Sequence, residues 1–297
     1  MEITKIAKIK DGRQDGAVKN GYLFSFNGRG ECTVYLTDAL ESAGGGVAEP
    51  FAEFVLDQND IIVPHSNAVM FGNEYYDADD EFPLLYTNIY NNYSQADDKL
   101  KGVCLVYRIQ RNETKFVSTL VQMIEIGFVE DENLWKSAGE KEDVRPYGNF
   151  VVDSENSILY AYTMRDNTNS TRYFSFELPK VNQGKLCEKY NVNKVILNQD
   201  DIISCFDCAY HHFLQGGSCH DGKIYSLEGF TDSEEKPPAI RVIDTKLEKE
   251  ILFELFGDYV TNIEPELIDF DGDTCYYSDH YGNVYKLFFD IDASLGR

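Results

Sequence analysis

Two glutamates separated by one proline, Glu264 and Glu266 in NIEPELIDF, are the residues whose type and spacing best suit chemistry in this chain. In an extended segment, residues two apart share a face, so both carboxyls point the same way. Such a pair either works as acid and base or accepts hydrogen bonds from a ligand. Other polar side chains stand just ahead of apolar runs: Gln14, His65 with Asn67, Tyr147 with Asn149, and the cluster His211, His212 and Gln215. The tandem histidines face opposite ways if extended, so at most one of them joins a common site. Gln14 and Gln215 hold matching places in two similar stretches, which suits a shared structural task, such as tying neighbouring elements together, as well as a ligand contact.

Metal and covalent chemistry find less support. His65, one tandem histidine and Glu266 make a His/His/carboxylate set, but the spacings are long-range and match no local ligand signature. Asp269, Asp271 and Asp273 in DFDGDTCYYSDH start like a calcium loop, yet glycine is fourth rather than sixth and His280 stands where a bidentate Glu is needed, so a turn between strands is expected. Asp77, Asp79, Asp80 and Glu81 read as a solvated loop. Cys205 and Cys208 form a C-x-x-C outside the βα setting of redox proteins. No G-x-S-x-G, phosphate loop or dinucleotide fingerprint occurs, and Gly44 to Gly46 form a turn with no Lys-Ser/Thr behind them. No metal ligand set is assigned, and no motif names a cofactor.

Charge narrows the partners. The 297 residues carry 27 Lys and Arg against 51 Asp and Glu, a net of −24, with no basic stripe to make a local exception. Such a surface repels phosphate backbones and anionic lipid, so neither nucleic acid nor membrane is an expected partner. The N-terminal MEITKIAKIK alternates Ile and Lys and lacks the apolar core of a signal peptide. With seven scattered cysteines, this points to free thiols and the cytoplasm, although a removed leader would leave the same sequence.

The elements that must position these residues are strands. Tyr and Phe number 20 and 19 against one Trp and four Met, a balance that suits half-buried pleated sheets. Period-two alternation bounded by turn residues marks strands at Gly21 to Phe26, Cys32 to Leu36, Ala68 to Phe71, Leu84 to Tyr90, Val103 to Gln110, Phe116 to Ile126 and Phe150 to Val152. The series continues at Ile158 to Met164, Thr171 to Leu178, Lys194 to Leu197, Lys223 to Leu227, Ile240 to Asp244, Thr274 to Ser278 and Asn283 to Phe289. Leu247 to Phe256 fits a helix or a strand. Asn91 to Leu100 and Val129 to Arg145 are polar surface connections, the second with room for a helical turn near Trp135.

A repeat organises the strands. QDGAVKNGYLFSF, from Gln14, and QGGSCHDGKIYSL, from Gln215, share Q-x-G and then G-x-[LI]-[FY]-S at one constant interval. Behind each comes a second and a third strand, and the order recurs in HSNAVMFG with FPLLYTNIY and GVCLVYRIQ, in GNFVVDSEN with ILYAYTM and TRYFSFELP, and in EPELIDFDG with DTCYYSD and GNVYKLFFD. Through these elements the whole chain, 1–297, resembles the β-propeller superfamily as a single domain, most like uncharacterised bacterial propellers, with no named enzyme family. Five units imply a five-bladed, all-β ring, with six blades as the alternative. The ring closes if Glu2 to Ile9, itself alternating, completes the last blade beside Val284 to Phe289.

In a propeller the residues ahead of the inner strands gather at one mouth of the central channel. Gln14, His65, Asn67, His211, His212, Gln215, Glu264 and Glu266 are therefore the expected ligand-binding set, presented to a small molecule, glycan, peptide or protein. Tyr75, Tyr76, Tyr90 and Tyr93 add surfaces for stacking. The resemblance also implies an alternative, since several five-bladed families are glycoside hydrolases with inner-strand acids in the channel. Here Asp153, Glu264, Glu266 and Asp269 are the acids available, concentrated in two blades, which places binding ahead of hydrolysis.

Overall fold

In a computed structural model the chain forms five small β-sheets arranged in a ring, a five-bladed β-propeller. The structure describes residues 1–10, 14–66, 68–89, 100–129, 131, 144–165, 171–208, 214–230, 234, 237–261 and 263–291, with the backbone alone at 144–149 and 163–165. The chain opens with β1 (Glu2–Lys8) and then builds blade 1 from β2 (Gly16–Lys19), β3 (Tyr22–Phe26), β4 (Glu31–Leu36) and β5 (Ala52–Val55). Blade 2 starts with β6 (Val69–Phe71), β7 (Leu85–Asn88), β8 (Val103–Asn112) and β9 (Lys115–Ile126). Blade 3 uses β10 (Val144–Asp153), β11 (Ile158–Arg165) and β12 (Thr171–Glu177), then leaves for β13 (Lys185–Cys187) and β14 (Val192–Leu197) before its outer strand β15 (Ile202–Cys208). Blade 4 is β16 (Leu214–His220), β17 (Lys223–Glu228), β18 (Ala239–Asp244) and β19 (Lys249–Leu255), and blade 5 begins with β20 (Pro265–Asp271), β21 (Thr274–Asp279) and β22 (Asn283–Phe288).

The fourth strand of blade 5 comes from the other end of the chain. β1 runs antiparallel to β22 from Glu2 opposite Phe288 to Lys8 opposite Asn283, the closure expected from the alternation of EITKIAKI. Ile6, Ala7 and Ile9 enter the apolar layer between blades 5 and 1 with Leu23, Tyr35, Leu267 and Val284. Similar layers fill the other gaps; between blades 1 and 2, Phe24, Phe54, Phe71, Phe82 and Phe116 pack their rings edge to face or stacked. This explains the aromatic-rich composition: each gap is two pleated faces about 10 Å apart, a spacing that large flat side chains fill.

The repeat has a clear local cause. Asn20 and Gly21 (φ 52° and 79°) and Asp221 and Gly222 (φ 48° and 65°) turn β2 into β3 and β16 into β17. Two successive positive φ values are the requirement of the tight hairpin turn that Asn-Gly and Asp-Gly satisfy. The shared Ser25 and Ser226 lie buried opposite Gly16 and Gly217 on the inner strands.

Several features were not expected. Lys194 to Leu197 was read as a strand, but β14 leaves its own blade and lies parallel to β9, pairing Asn193 with Gln122 through Leu197 with Ile126, so blade 2 has six strands. Buried Gln122 fixes the excursion, its amide donating to the carbonyls of Lys180 (2.7 Å) and Gln183 (3.1 Å). Two short helices, α1 (Thr37–Ser42) and α2 (Asn59–Ile62), fill blade 1 connections that lack helical periodicity in sequence. Most of the ambiguous segment Leu247 to Phe256 is strand β19, which buries Ile251 and Leu252 and leaves Lys249, Phe253 and Leu255 exposed, as suits an outer edge. β10 starts at Val144, six residues before the expected strand. Tyr90, Tyr93 and Trp135 lie outside the described residues, and no described helix is long and apolar enough to cross a membrane.

Deleting residues 1–9 removes Ile6 and Ile9 from their layer and exposes the edge of β22. Burial of two such side chains is worth about 3 to 6 kcal/mol, which predicts a fall in melting temperature on the order of 10 °C by calorimetry; an unchanged melting temperature would show that the ring closes without β1.

Candidate functional site

The inner strands β2, β6, β10, β16 and β20 surround the axis, and backbone crowding there decides which residues are tolerated. A Cβ on Gly216 would lie 2.0 Å from the Glu266 carbonyl oxygen, and one on Gly16 would lie 2.1 Å from that of Phe24. Glycine at these places lets the strands converge. The same hypothetical Cβ on Gly216 would sit 3.1 Å from Asp15 Oδ1, so the glycine of one repeat makes room for the aspartate of another.

Asp15 spans blades 1 and 2, its Oδ2 accepting from the Val69 amide at 2.8 Å. Burial holds its carboxyl well above the ordinary range, the amides of Gly16, Val69 and Gly217 offset this in part, and the charge of Asp269 pushes upward again. Asp269 spans three blades: Oδ2 accepts from the Val18 amide (2.7 Å) and Oδ1 from the Ser218 hydroxyl (2.8 Å). Burial raises it from 3.8 to about 6 against those bonds. Asp279 accepts from the amides of Tyr281 and Asn283 and from the Tyr285 hydroxyl, closing the turn between β21 and β22.

At the upper mouth, where the inner strands begin, Gln215 donates from Nε2 to Glu264 Oε1 (2.8 Å) and to the Gly229 carbonyl (3.0 Å). It thus joins blade 4 to blade 5, the stitching role that its repeated position suggested. Glu264 is half-buried, and its amide donates to His280 Nδ1 at 2.8 Å. Glu266 is buried; desolvation pushes its carboxyl well above the ordinary range, and the charges of Glu264, Asp15 and Asp279 add to the rise. Across the ring, His65 and Gln14 meet over Gly28, where a Cβ would lie 3.2 Å from His65 Nδ1 and 3.8 Å from Gln14 Cγ. Burial lowers the His65 pKa, which favours the neutral imidazole.

Of the eight residues named from sequence, the structure brings Gln215, Glu264 and Glu266 together and sets Gln14 beside His65. Asn67, His211 and His212 lie outside the described residues, as do the side chains of Tyr147 and Asn149. Among the described residues, no group of three or more His, Cys, Asp and Glu is placed to hold a metal ion. Asp271 and Asp273 belong to the β20–β21 hairpin as the turn reading expected. The C-x-x-C lies along β15 with Cys205 exposed and Cys208 buried, and burial raises both thiols, so neither is an activated nucleophile. Tyr75 and Tyr76 are exposed, with Arg108 over the Tyr76 ring.

Asp15 and His280 were missed as members of the axial network. Their signals were present: QDG differs from QGG only at Asp15, and His280 takes the place that glycine holds at Gly28 and Gly229.

No protein-family model matches the chain, and no curated protein matches it in sequence. Among solved structures, the crystal structure of the computationally designed Ika8 protein is similar at a TM-score of 0.36 and 7% identity, over 96% of this chain and 99% of that one. A likeness at that level assigns no residue and no ligand, and the fold rests on the sheet topology itself.

The raised carboxyls set a pH dependence. A group whose pKa is higher folded than unfolded contributes stability below its unfolded value and loses it as pH rises through the folded one. For Asp269 the window runs from 3.8 to about 6, worth about 3 kcal/mol. The stability difference between wild type and Asp269→Asn, followed by urea unfolding from pH 3 to pH 8, is expected to shift by that amount across this window; a constant difference would show that Asp269 titrates normally.

Proposed function

We propose that this protein is a binding propeller whose upper channel mouth, with Gln14, His65, Gln215, Glu264 and Glu266, receives the hydrogen-bond donors of a glycan, peptide or protein segment. The observation that carries this reading is the engagement of the axial acids. Asp15, Asp153 and Asp269, on or beside the inner strands, each accept hydrogen bonds from backbone amides, with a hydroxyl added at Asp269. A glycoside hydrolase needs a proton donor and a second carboxylate facing each other across a bond. Carboxylates committed to amides are poorly suited to that work.

Glu264 has a different setting. It is half-buried at the mouth, oriented by Gln215, and next to Glu266, whose carboxyl is driven toward the neutral form. Carboxyl oxygens beside a carboxyl driven toward the neutral form, with amide and imidazole groups nearby, offer both donors and acceptors to a polar ligand. The propeller ring supports a binding or scaffolding role in general terms, and this mouth is the part of it with the chemistry to select.

Thermal-shift screening against neutral sugars and short peptides tests the proposal. A ligand present at 100 times its Kd should stabilise the fold by about 2.7 kcal/mol, and Glu264→Ala should remove that shift while leaving the unliganded protein folded. Turnover of a chromogenic glycoside that Glu266→Gln abolishes would replace the binding reading with the hydrolase one.

A further inference from the structure

The opposite mouth, where the inner strands end in their hairpins, has a cavity of its own. Its volume is about 150 Å³, and all five inner strands contribute to its lining, with Lys19, Ser218, His220 and Asp269 among the polar side chains. Asp269 is held in place by the Val18 amide and the Ser218 hydroxyl, so the acceptor is oriented before any ligand arrives. A second, larger hollow of about 620 Å³ lies between blades 4 and 5. The rings of His220 and Phe270, stacked at 4.3 Å and 8°, line both spaces and form the partition between them. Tyr225 packs on Phe270 at 4.6 Å and on Phe289 at 5.6 Å, giving the hollow an aromatic wall. Asp221, Asp244, Asp273 and Asp290 line it as well, against one lysine, Lys223, which pairs with Asp221 at 2.6 Å.

We propose that this lower mouth binds a neutral polyhydroxy ligand, a short saccharide, with the edge of one ring in the axial cavity and the next ring along the aromatic groove. Volume and charge together select that class. The axial cavity has space for about five water molecules, which suits the hydroxyls along a ring edge but not a whole ring. The groove falls within the roughly 300 to 1,000 Å³ of small-molecule sites and accepts the remainder. A cation entering the cavity meets Lys19, and an anion meets Asp269 and then the carboxylates of the groove. Hydroxyls donate to the carboxylates and accept from Lys19, so one neutral ligand satisfies both spaces. Sugar rings also present a flat apolar face to aromatic side chains such as Phe270. This site shares no residue with the upper mouth and stands whether or not that mouth binds anything.

Calorimetric titration of the full chain with glucose and with maltose provides the test. Maltose is expected to bind more tightly than glucose. Lys19→Met is expected to weaken both by about tenfold or more, the cost of a lost charged donor. Phe270→Leu, which keeps an apolar side chain but removes the ring, is expected to reduce maltose to the level of glucose; circular dichroism of both variants checks that each is folded. Absence of binding by either sugar at millimolar concentration overturns the proposal, as does sensitivity of spermidine or inorganic phosphate binding to Lys19→Met in place of the sugars. Sugar binding that responds to Glu264→Ala and not to Lys19→Met belongs to the upper mouth and also overturns it.

Discussion

Five sheets that meet at an axis each present an unpaired edge to the centre, and the structure depends on how those edges are satisfied. A backbone amide buried without a partner costs as much as a lost hydrogen bond, and no sixth sheet is available to complete the ladders. Here carboxylates substitute. Asp15 takes the amide of Val69 from the next blade, and Asp269 takes that of Val18. Each acid therefore links one blade to another through a bond that an apolar side chain cannot make. The glycines follow from the same crowding, since room for Asp15 exists because Gly216 has no Cβ.

This solution places several acids in a desolvated column, which is costly for ionised groups and explains why Asp15, Glu266 and Asp269 are all pushed toward the neutral form. Amide donors offset part of that cost for Asp15 and Asp269, and these two are the acids most deeply involved in joining blades. Glu266 has no such amide among the influences on its carboxyl, whose neighbours Glu264, Asp15 and Asp279 are all acidic. The difference separates acids that build the ring from one held under electrostatic pressure at its upper mouth. The ring is reinforced from outside by two further exchanges, β1 pairing with β22 and the β13–β14 hairpin extending blade 2.

The ring was legible in the sequence because its cause is local. Asn20-Gly21 and Asp221-Gly222 require the same hairpin turn, and the apolar residues of EITKIAKI mark a segment that must be buried, although the register shift between Lys5 and Ala7 that buries Ile6 and Ala7 together was not legible. The excursion of β14 was not legible. Its short run VNKVIL reads as a strand of no particular blade, and only the distant carbonyls held by Gln122 reveal which blade it joins. The site was legible to the same partial extent: Gln215, Glu264 and Glu266 are near in sequence register to the inner strands and do converge, whereas the role of Asp15 depends on a glycine 201 positions away. The lower cavity was invisible, because hairpin residues such as Lys19 and His220 look like ordinary turn chemistry until five hairpins are set around one axis.

That geometry makes the two mouths chemically unequal. At the upper one, buried Glu266 is surrounded by acids from blades 5 and 1, and the nearest partners of Glu264 are the Gln215 amide of blade 4 and the His280 imidazole of blade 5. At the lower one, Lys19 from blade 1 faces the same cavity as Asp269 from blade 5, so opposite charges balance across the axis and every blade contributes a wall. The asymmetry arises from the repeat itself. The repeated inner strands β2 and β16 share the glycine that crowding near the axis demands, and the inner strands differ at their two ends, where Gln14, Gln215 and Glu266 occupy one side and Lys19, His220 and Asp271 the other. The side chains free to vary therefore lie at the strand ends, while Asp15 and Asp269 are constrained by the need to hold the blades together.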